Sequence, residues 1–134
     1  MTRHEMREAA FILLFEMKIG KSTVEEAIED SKDAFDLPVN NDVIGLVRKV
    51  SEKTDELDEV IAKYSAKRAV SRISNVPLVI MEIAVYEMKY SENVPDVVAI
   101  NEAIELTKAY GSAEDKNFVN GILNSYLKDK GGKD

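Results

Sequence analysis

Cysteine and tryptophan are absent from this sequence, and histidine occurs once, at His4. Without cysteine the chain can form neither disulfides nor thiolate metal sites, and one histidine cannot form a metal cluster by itself. The common serine and cysteine catalytic constellations need a histidine base, so hydrolase chemistry is not expected. The six glycines are scattered rather than gathered in a phosphate-binding loop. The sequence therefore predicts no catalytic residues, no metal and no cofactor.

Long apolar runs are also missing. Apolar runs such as Phe11 to Phe15 and Val76 to Ile80 are far shorter than the roughly 20 residues that a membrane-spanning helix needs. The first residues lack a basic segment followed by an apolar stretch and a cleavage site, so no secretory signal is expected. We therefore expect no membrane association and a cytoplasmic location.

The composition is typical of a globular protein, with 45% hydrophobic and 32% charged residues among 134. A chain of this length can bury a core without disulfides or metals, so we expect a single domain over residues 1–130 and a frayed tail at 131–134. The net charge of -7 argues against strong non-specific binding of nucleic acid, because such affinity comes mainly from lysine and arginine. Any RNA site must be local.

Apolar residues recur at three- and four-residue spacing along nearly the whole chain, and alternating strand patterns are missing. The pattern predicts an all-α bundle of six or seven helices. Thr2 is expected to cap the first helix, and Gly20 to end it in a left-handed conformation. Ser112 and Asp115 are spaced as a capping box for the last helix. A helix from Pro77 to about Tyr90 is apolar on most sides, which predicts a central position.

Two small clusters are candidates for recognition. Arg3 and Arg7 are four residues apart on the first helix, hence on one face, with His4 beside them. From this feature alone, ordinary solvated arginines are the favoured explanation. Lys116 and Asn117 precede Phe118 near the start of the last helix, where an exposed aromatic ring could stack an unpaired base. A phenylalanine at such a position usually belongs to the core.

Several segments, in this order, resemble the C-terminal signature of the NusB family. They are Val94-Pro95, Ile100-Asn101-Glu102-Ala103, Tyr110-Gly111 and Phe118-Val119-Asn120-Gly121-Ile122-Leu123. Upstream, Ile83-Ala84-Val85-Tyr86-Glu87-Met88 resembles the preceding helix, and Arg7-Glu8-Ala9 resembles the arginine-led first helix. The resemblance covers essentially the whole chain, although the middle agrees only in its helical periodicity.

This resemblance implies an all-helical fold of two packed three-helix subdomains. It also implies a role without enzyme activity in transcription antitermination, particularly of ribosomal RNA operons. Family members pair with NusE, a protein of the small ribosomal subunit, and the pair holds the single-stranded boxA element of nascent RNA. Other Nus factors and RNA polymerase complete the complex.

Position by position, the resemblance implies an RNA-binding role for Arg3, His4, Arg7, Lys116, Asn117 and Phe118. It implies a NusE face in the C-terminal subdomain, where we expect Glu82 and Tyr86, although Tyr86 is also a core candidate. Asn101 and Glu102 are expected to serve packing.

The chain departs from the family pattern at three places. Glu5 stands inside the basic cluster, Arg68 lies near the place of a frequent tryptophan, and Glu82 replaces a frequent arginine. The RNA and partner contacts at these positions are therefore expected to differ from those of other members.

Two alternatives remain at this stage. The chain could be a homodimeric or purely protein-binding module of the same fold, with its arginine face buried between copies. A NusB-like domain also occurs fused to RNA methyltransferases, but we expect no methyl-donor site after the bundle and no methyltransferase activity.

Overall fold

The computed structural model describes residues 1–34, 39–65 and 68–131. In these residues the chain forms seven α-helices and a short 3-10 helix, Val70–Arg72, and no strand. The all-α prediction is confirmed. The helices are α1 (Arg3–Gly20), α2 (Val24–Ala34), α3 (Asn41–Glu52), α4 (Thr54–Tyr64), α5 (Asn75–Tyr90), α6 (Asp96–Tyr110) and α7 (Ala113–Lys130).

Side chains that satisfy the first backbone N–H groups fix where several helices begin. Three helices start with a reciprocal capping box, formed by Thr2 with Glu5, Thr23 with Glu26, and Ser112 with Asp115. The predicted caps Thr2 and Ser112 are confirmed. For α3, the Val43 N–H donates to the Asn40 side-chain oxygen at 3.0 Å.

The end of α1 differs from the prediction. Gly20 is the last helical residue and does not have a positive φ, whereas Lys21, with φ 52°, is the left-handed residue. The backbone N–H of Lys21 donates to the carbonyl of Met17, which satisfies one of the last helical carbonyls. The helix therefore runs one residue further than the glycine rule predicts, and a lysine adopts the conformation that glycine usually takes.

The chain divides into two compact units, the first of which is Met1–Glu52. Its helices α1 and α3 pack against each other, and α2 packs against both. The fully buried side chains include Leu13 of α1 together with Val43 and Val47 of α3. These residues recur at the spacing of one helical face, which is the reason that they form a core.

The second unit begins at Lys53 and contains α4 to α7. Helix α5 packs against α4, α6 and α7, and every residue from Pro77 to Met88 is buried. The predicted central position of this helix is confirmed. Of the predicted tail, residues 132–134 lie outside the described residues.

Across the described ranges, no helix combines the length and the apolar character needed to cross a membrane.

Candidate nucleic-acid interface

The start of α1 presents two of its three predicted RNA-binding residues. Arg3 and His4 are exposed, and His4 makes at least one interaction within the protein. Arg7, in contrast, is only 2% exposed and is also engaged within the protein. A guanidinium that is buried to this extent cannot meet a phosphate directly. The structure thus places Arg7 among the buried residues and not on the predicted RNA surface.

The acidic residue inside this cluster has a structural role. Glu5 accepts a hydrogen bond from the backbone N–H of Thr2 at 2.8 Å, and its own N–H donates to the Thr2 hydroxyl. The backbone hydrogen bond from Thr2, and then that of its side chain, hold the pKa of Glu5 below its ordinary value. Glu5 therefore stays charged beside Arg3 and His4 because the cap of α1 requires it.

The start of α7 carries the second cluster. Lys116 and Asn117 are exposed, Phe118 is half-buried, and Val119 is fully buried. This order follows from the helix, whose inner face continues through Ile122, Leu123 and Tyr126. Phe118 therefore lies at the border between the core and the surface, and neither the exposed nor the core alternative describes it fully.

Arg68 lies against Phe118, although the two residues are distant in sequence. The carbon of its guanidinium is 4.5 Å from the centroid of the Phe118 ring, which is within the range of a cation–π contact. Glu114, one helical turn before Phe118, places a carboxylate oxygen 3.9 Å from an Arg68 nitrogen. The sequence identified Arg68 only as a departure from the family pattern, and nothing in its local spacing predicts this contact.

The two residues predicted to bind a partner protein are not at the surface. Glu82 is 2% and Tyr86 is 8% exposed, because α5 is covered on all sides by neighbouring helices. Glu82 is engaged within the protein, and the ring of Tyr86 is 5.4 Å from that of Tyr90. A direct contact with a partner surface is therefore excluded for the chain as folded.

The first turns of α6 expose apolar side chains that the sequence analysis did not select. Val97 and Val98 are 59% and 41% exposed, whereas the neighbouring Ala99 is buried. Further along, Asn101 is exposed and Glu102 is half-buried. The exposure of Asn101 does not fit the packing role expected for it.

The described residues thus form an all-helical protein of two units, with exposed cations at the starts of α1 and α7 and an aromatic ring beside the second set. Exposed cations beside an aromatic ring are features with which proteins recognise other molecules through a surface. The sequence matches the model of the NusB family over residues 4–128. It is 39% identical, over 97% of this chain and 91% of the relative, to the transcription antitermination protein NusB of Acetivibrio thermocellus. The chain belongs to the NusB family.

Solved structures agree with this assignment. NusB of T. maritima superposes with a TM-score of 0.85 at 30% identity, covering 96% of this chain and 92% of that one. A structure of the antitermination factors NusB and NusE in complex with dsRNA superposes with a TM-score of 0.81 at 21% identity, over 96% of this chain and 99% of that one. The second likeness, at its lower identity, shows the shared fold.

Proposed function

We propose that this chain binds the boxA element of nascent ribosomal RNA together with NusE, and so helps to assemble an antitermination complex with other Nus factors on RNA polymerase. Membership of the NusB family and the antitermination relative support this role. The solved neighbour that contains NusB and NusE in complex with dsRNA supports NusE and RNA as partners, although its RNA is double-stranded.

The observation that carries the proposal is the cluster at the start of α7. Exposed Lys116 and Asn117 supply donors for phosphate or base edges, and the half-buried Phe118 ring supplies an apolar face beside them. Recognition of unpaired RNA uses these components, namely a stacking surface next to hydrogen-bond donors and positive charge. Arg3 and His4 provide a second exposed set at the start of α1.

The proposed mechanism is assembly rather than catalysis, and the place of action is the cytoplasm, where nascent RNA is available. The overall charge of -7 opposes the approach of RNA, so we expect the chain to bind weakly when alone. When a second RNA-binding protein is held beside this chain, its contact with the RNA becomes intramolecular once the chain has bound. The pair therefore binds RNA more tightly than either protein does alone.

Fluorescence anisotropy of a fluorescein-labelled boxA RNA, with and without NusE and at two salt concentrations, tests the proposal. We expect NusE to tighten binding, and higher salt to weaken it. A duplex of the same sequence is the control, because a base within a duplex cannot stack on Phe118 without leaving its partner. Absence of RNA binding with and without NusE would contradict the proposal and would favour the homodimer, which light scattering would detect.

Variants then test the site. Phe118→Ala is expected to weaken RNA binding by roughly 1–3 kcal/mol through loss of stacking. Arg3→Ala is expected to lower the slope of log affinity against log salt by about 0.7, the value for one phosphate contact on a single strand. Arg7→Ala is the matched control, since its buried arginine should affect thermal stability and leave the salt slope unchanged.

For NusE, we propose Val97 and Val98 as contact residues in place of the buried Glu82 and Tyr86. Exposed, adjacent apolar side chains in the second unit are available to a partner, whereas buried ones are not. Val97→Asp is expected to remove the tightening by NusE and to leave RNA binding by the chain alone unchanged. Retained tightening would exclude this face.

A further inference from the structure

The contact between Arg68 and Phe118 changes the chemistry of the proposed RNA site. The guanidinium carbon lies 4.5 Å from the centroid of the ring, so a positive charge lies over Phe118. An aromatic ring alone offers only stacking. Arg68 and Phe118 together offer a stacking surface and, beside it, a charged hydrogen-bond donor.

The guanidinium is not fixed tightly in this position. Its ion pair with Glu114 is long, at 3.9 Å, and both side chains are accessible, with 37% of Arg68 and 87% of Glu114 exposed. Ion pairs of this kind contribute little, because water screens them and two long side chains must be ordered. The guanidinium can therefore exchange the carboxylate for another anion at low cost.

An RNA strand provides that anion together with a flat base. Arginine guanidinium planes stack unpaired bases, as aromatic rings do, and their fork of N–H groups matches the oxygens of a phosphate. Lys116 and Asn117 are exposed at the start of α7, the helix that carries Phe118. An RNA strand bound to Arg68 and Phe118 would therefore have further hydrogen-bond donors one or two residues from the ring.

We propose that Arg68 is a further RNA-contacting residue. With Phe118 it binds one unpaired base of a single-stranded RNA and pairs with an adjoining phosphate. This assignment rests on the proposed function and adds to it a cation that lies over the Phe118 ring. Arg7 is buried and presents no positive charge to RNA. Arg68 supplies part of the charge that is missing for this reason.

The test compares Arg68→Ala with Arg72→Ala in the full chain, using the labelled boxA RNA in the presence of NusE. Arg72 is exposed and lies four residues further along, so both variants lose one positive charge from the same segment. For Arg68→Ala we expect roughly fivefold weaker binding and a salt slope lower by about 0.7. For Arg72→Ala we expect a loss of less than about twofold, consistent with an arginine outside the proposed contact.

Two further variants separate charge from stacking. Arg68→Lys keeps the positive charge and is expected to retain the salt slope while losing affinity, because lysine has no planar face. Arg68→Trp, which keeps a flat stacking surface without the positive charge, is expected to retain affinity at high salt with a lower slope. Circular dichroism and the Tm of each variant establish that its fold is intact.

The outcomes distinguish the two proposals. If the wild-type chain binds boxA RNA and Arg68→Ala binds it equally well or more tightly, Arg68 is not a contact and the proposed function stands. If Arg68→Ala and Arg72→Ala lose the same affinity, the effect is one of general charge, and the assignment of Arg68 is overturned. If the wild-type chain binds no RNA with or without NusE, both proposals are wrong.

Discussion

Tyr90 and Glu56 form the centre of a small charged cluster at the end of α5. The tyrosine hydroxyl donates a hydrogen bond to the carboxylate of Glu56, and the ammonium nitrogen of Lys89 lies 3.2 Å from the same carboxylate oxygen. The hydrogen bond from Tyr90 and then that from Lys89 lower the pKa of Glu56 below its ordinary value. The same hydrogen bond from Tyr90 raises the pKa of the tyrosine, because its proton is held by the carboxylate.

These pKa shifts predict how the effect of Tyr90→Phe on stability depends on pH. A carboxyl with a lowered folded-state pKa stabilises the fold above its ordinary pKa and loses that contribution as the pH falls through the lowered value. Removal of the hydroxyl should therefore raise the pKa of Glu56, as followed by NMR titration. The stability difference from wild type should be present at neutral pH and vanish in acid.

Tyr64→Phe is the control for this prediction. The Tyr64 hydroxyl donates to Asp129 at 2.8 Å and should not affect Glu56. An unchanged pKa of Glu56 in Tyr90→Phe would instead assign the shift to Lys89.

At the same scale, the burial of Arg7 could have been predicted from the sequence. Ala10, Phe11 and Leu14 follow Arg7 by three, four and seven residues, which is the spacing of one helical face, and all three are buried. The interpretation of Arg7 as a surface residue relied on its spacing from Arg3 and on the family resemblance, and left out its spacing from these apolar residues. The contact of Arg68 with Phe118 had no comparable signal, because it joins residues far apart in sequence.

At the scale of helices, the sequence predicted starts better than ends. A capping box is a local pattern of side chains and backbone N–H groups, so Thr2 and Ser112 could be recognised directly. The end of α1 was wrong by one residue, because a left-handed terminus favours glycine without requiring it. Lys21 adopts that conformation and Gly20 does not.

This difference makes Lys21→Gly a stabilising substitution. The left-handed conformation costs a non-glycine residue about 1–2 kcal/mol in the folded state, and glycine removes this cost. The greater freedom of glycine in the unfolded chain offsets part of that gain. We expect the free energy of unfolding, measured in urea, to increase by roughly 0.5–1 kcal/mol, which is the difference between those two effects.

Gly20→Ala is the companion variant. An added Cβ would meet only the Ser22 hydroxyl at 3.8 Å, and alanine favours the helix by up to about 1 kcal/mol. A destabilised Gly20→Ala would mean that Gly20, not Lys21, ends the helix in solution.

For the whole molecule, composition and periodicity were sufficient to predict an all-helical chain with a central apolar helix. They were not sufficient to predict the site. Glu82 and Tyr86 were placed on a partner face even though their helix was expected to be central, and its neighbours cover them. A surface depends on which helices cover one another, and that is decided by contacts between distant segments.

The unbroken burial of α5 also determines the order in which the second unit opens. Amide protons exchange with solvent only when their hydrogen bonds open, and a helix enclosed by α4, α6 and α7 cannot open while those helices remain in place. In deuterated buffer, amides from Val79 to Tyr86 are expected to exchange more slowly than those of α6 and α7. The free energy of opening calculated from their exchange should equal the free energy of complete unfolding in urea. Faster exchange in α5 than in α6 would contradict the expected order of opening. The central helix thus serves as an internal measure of how long the second unit remains folded.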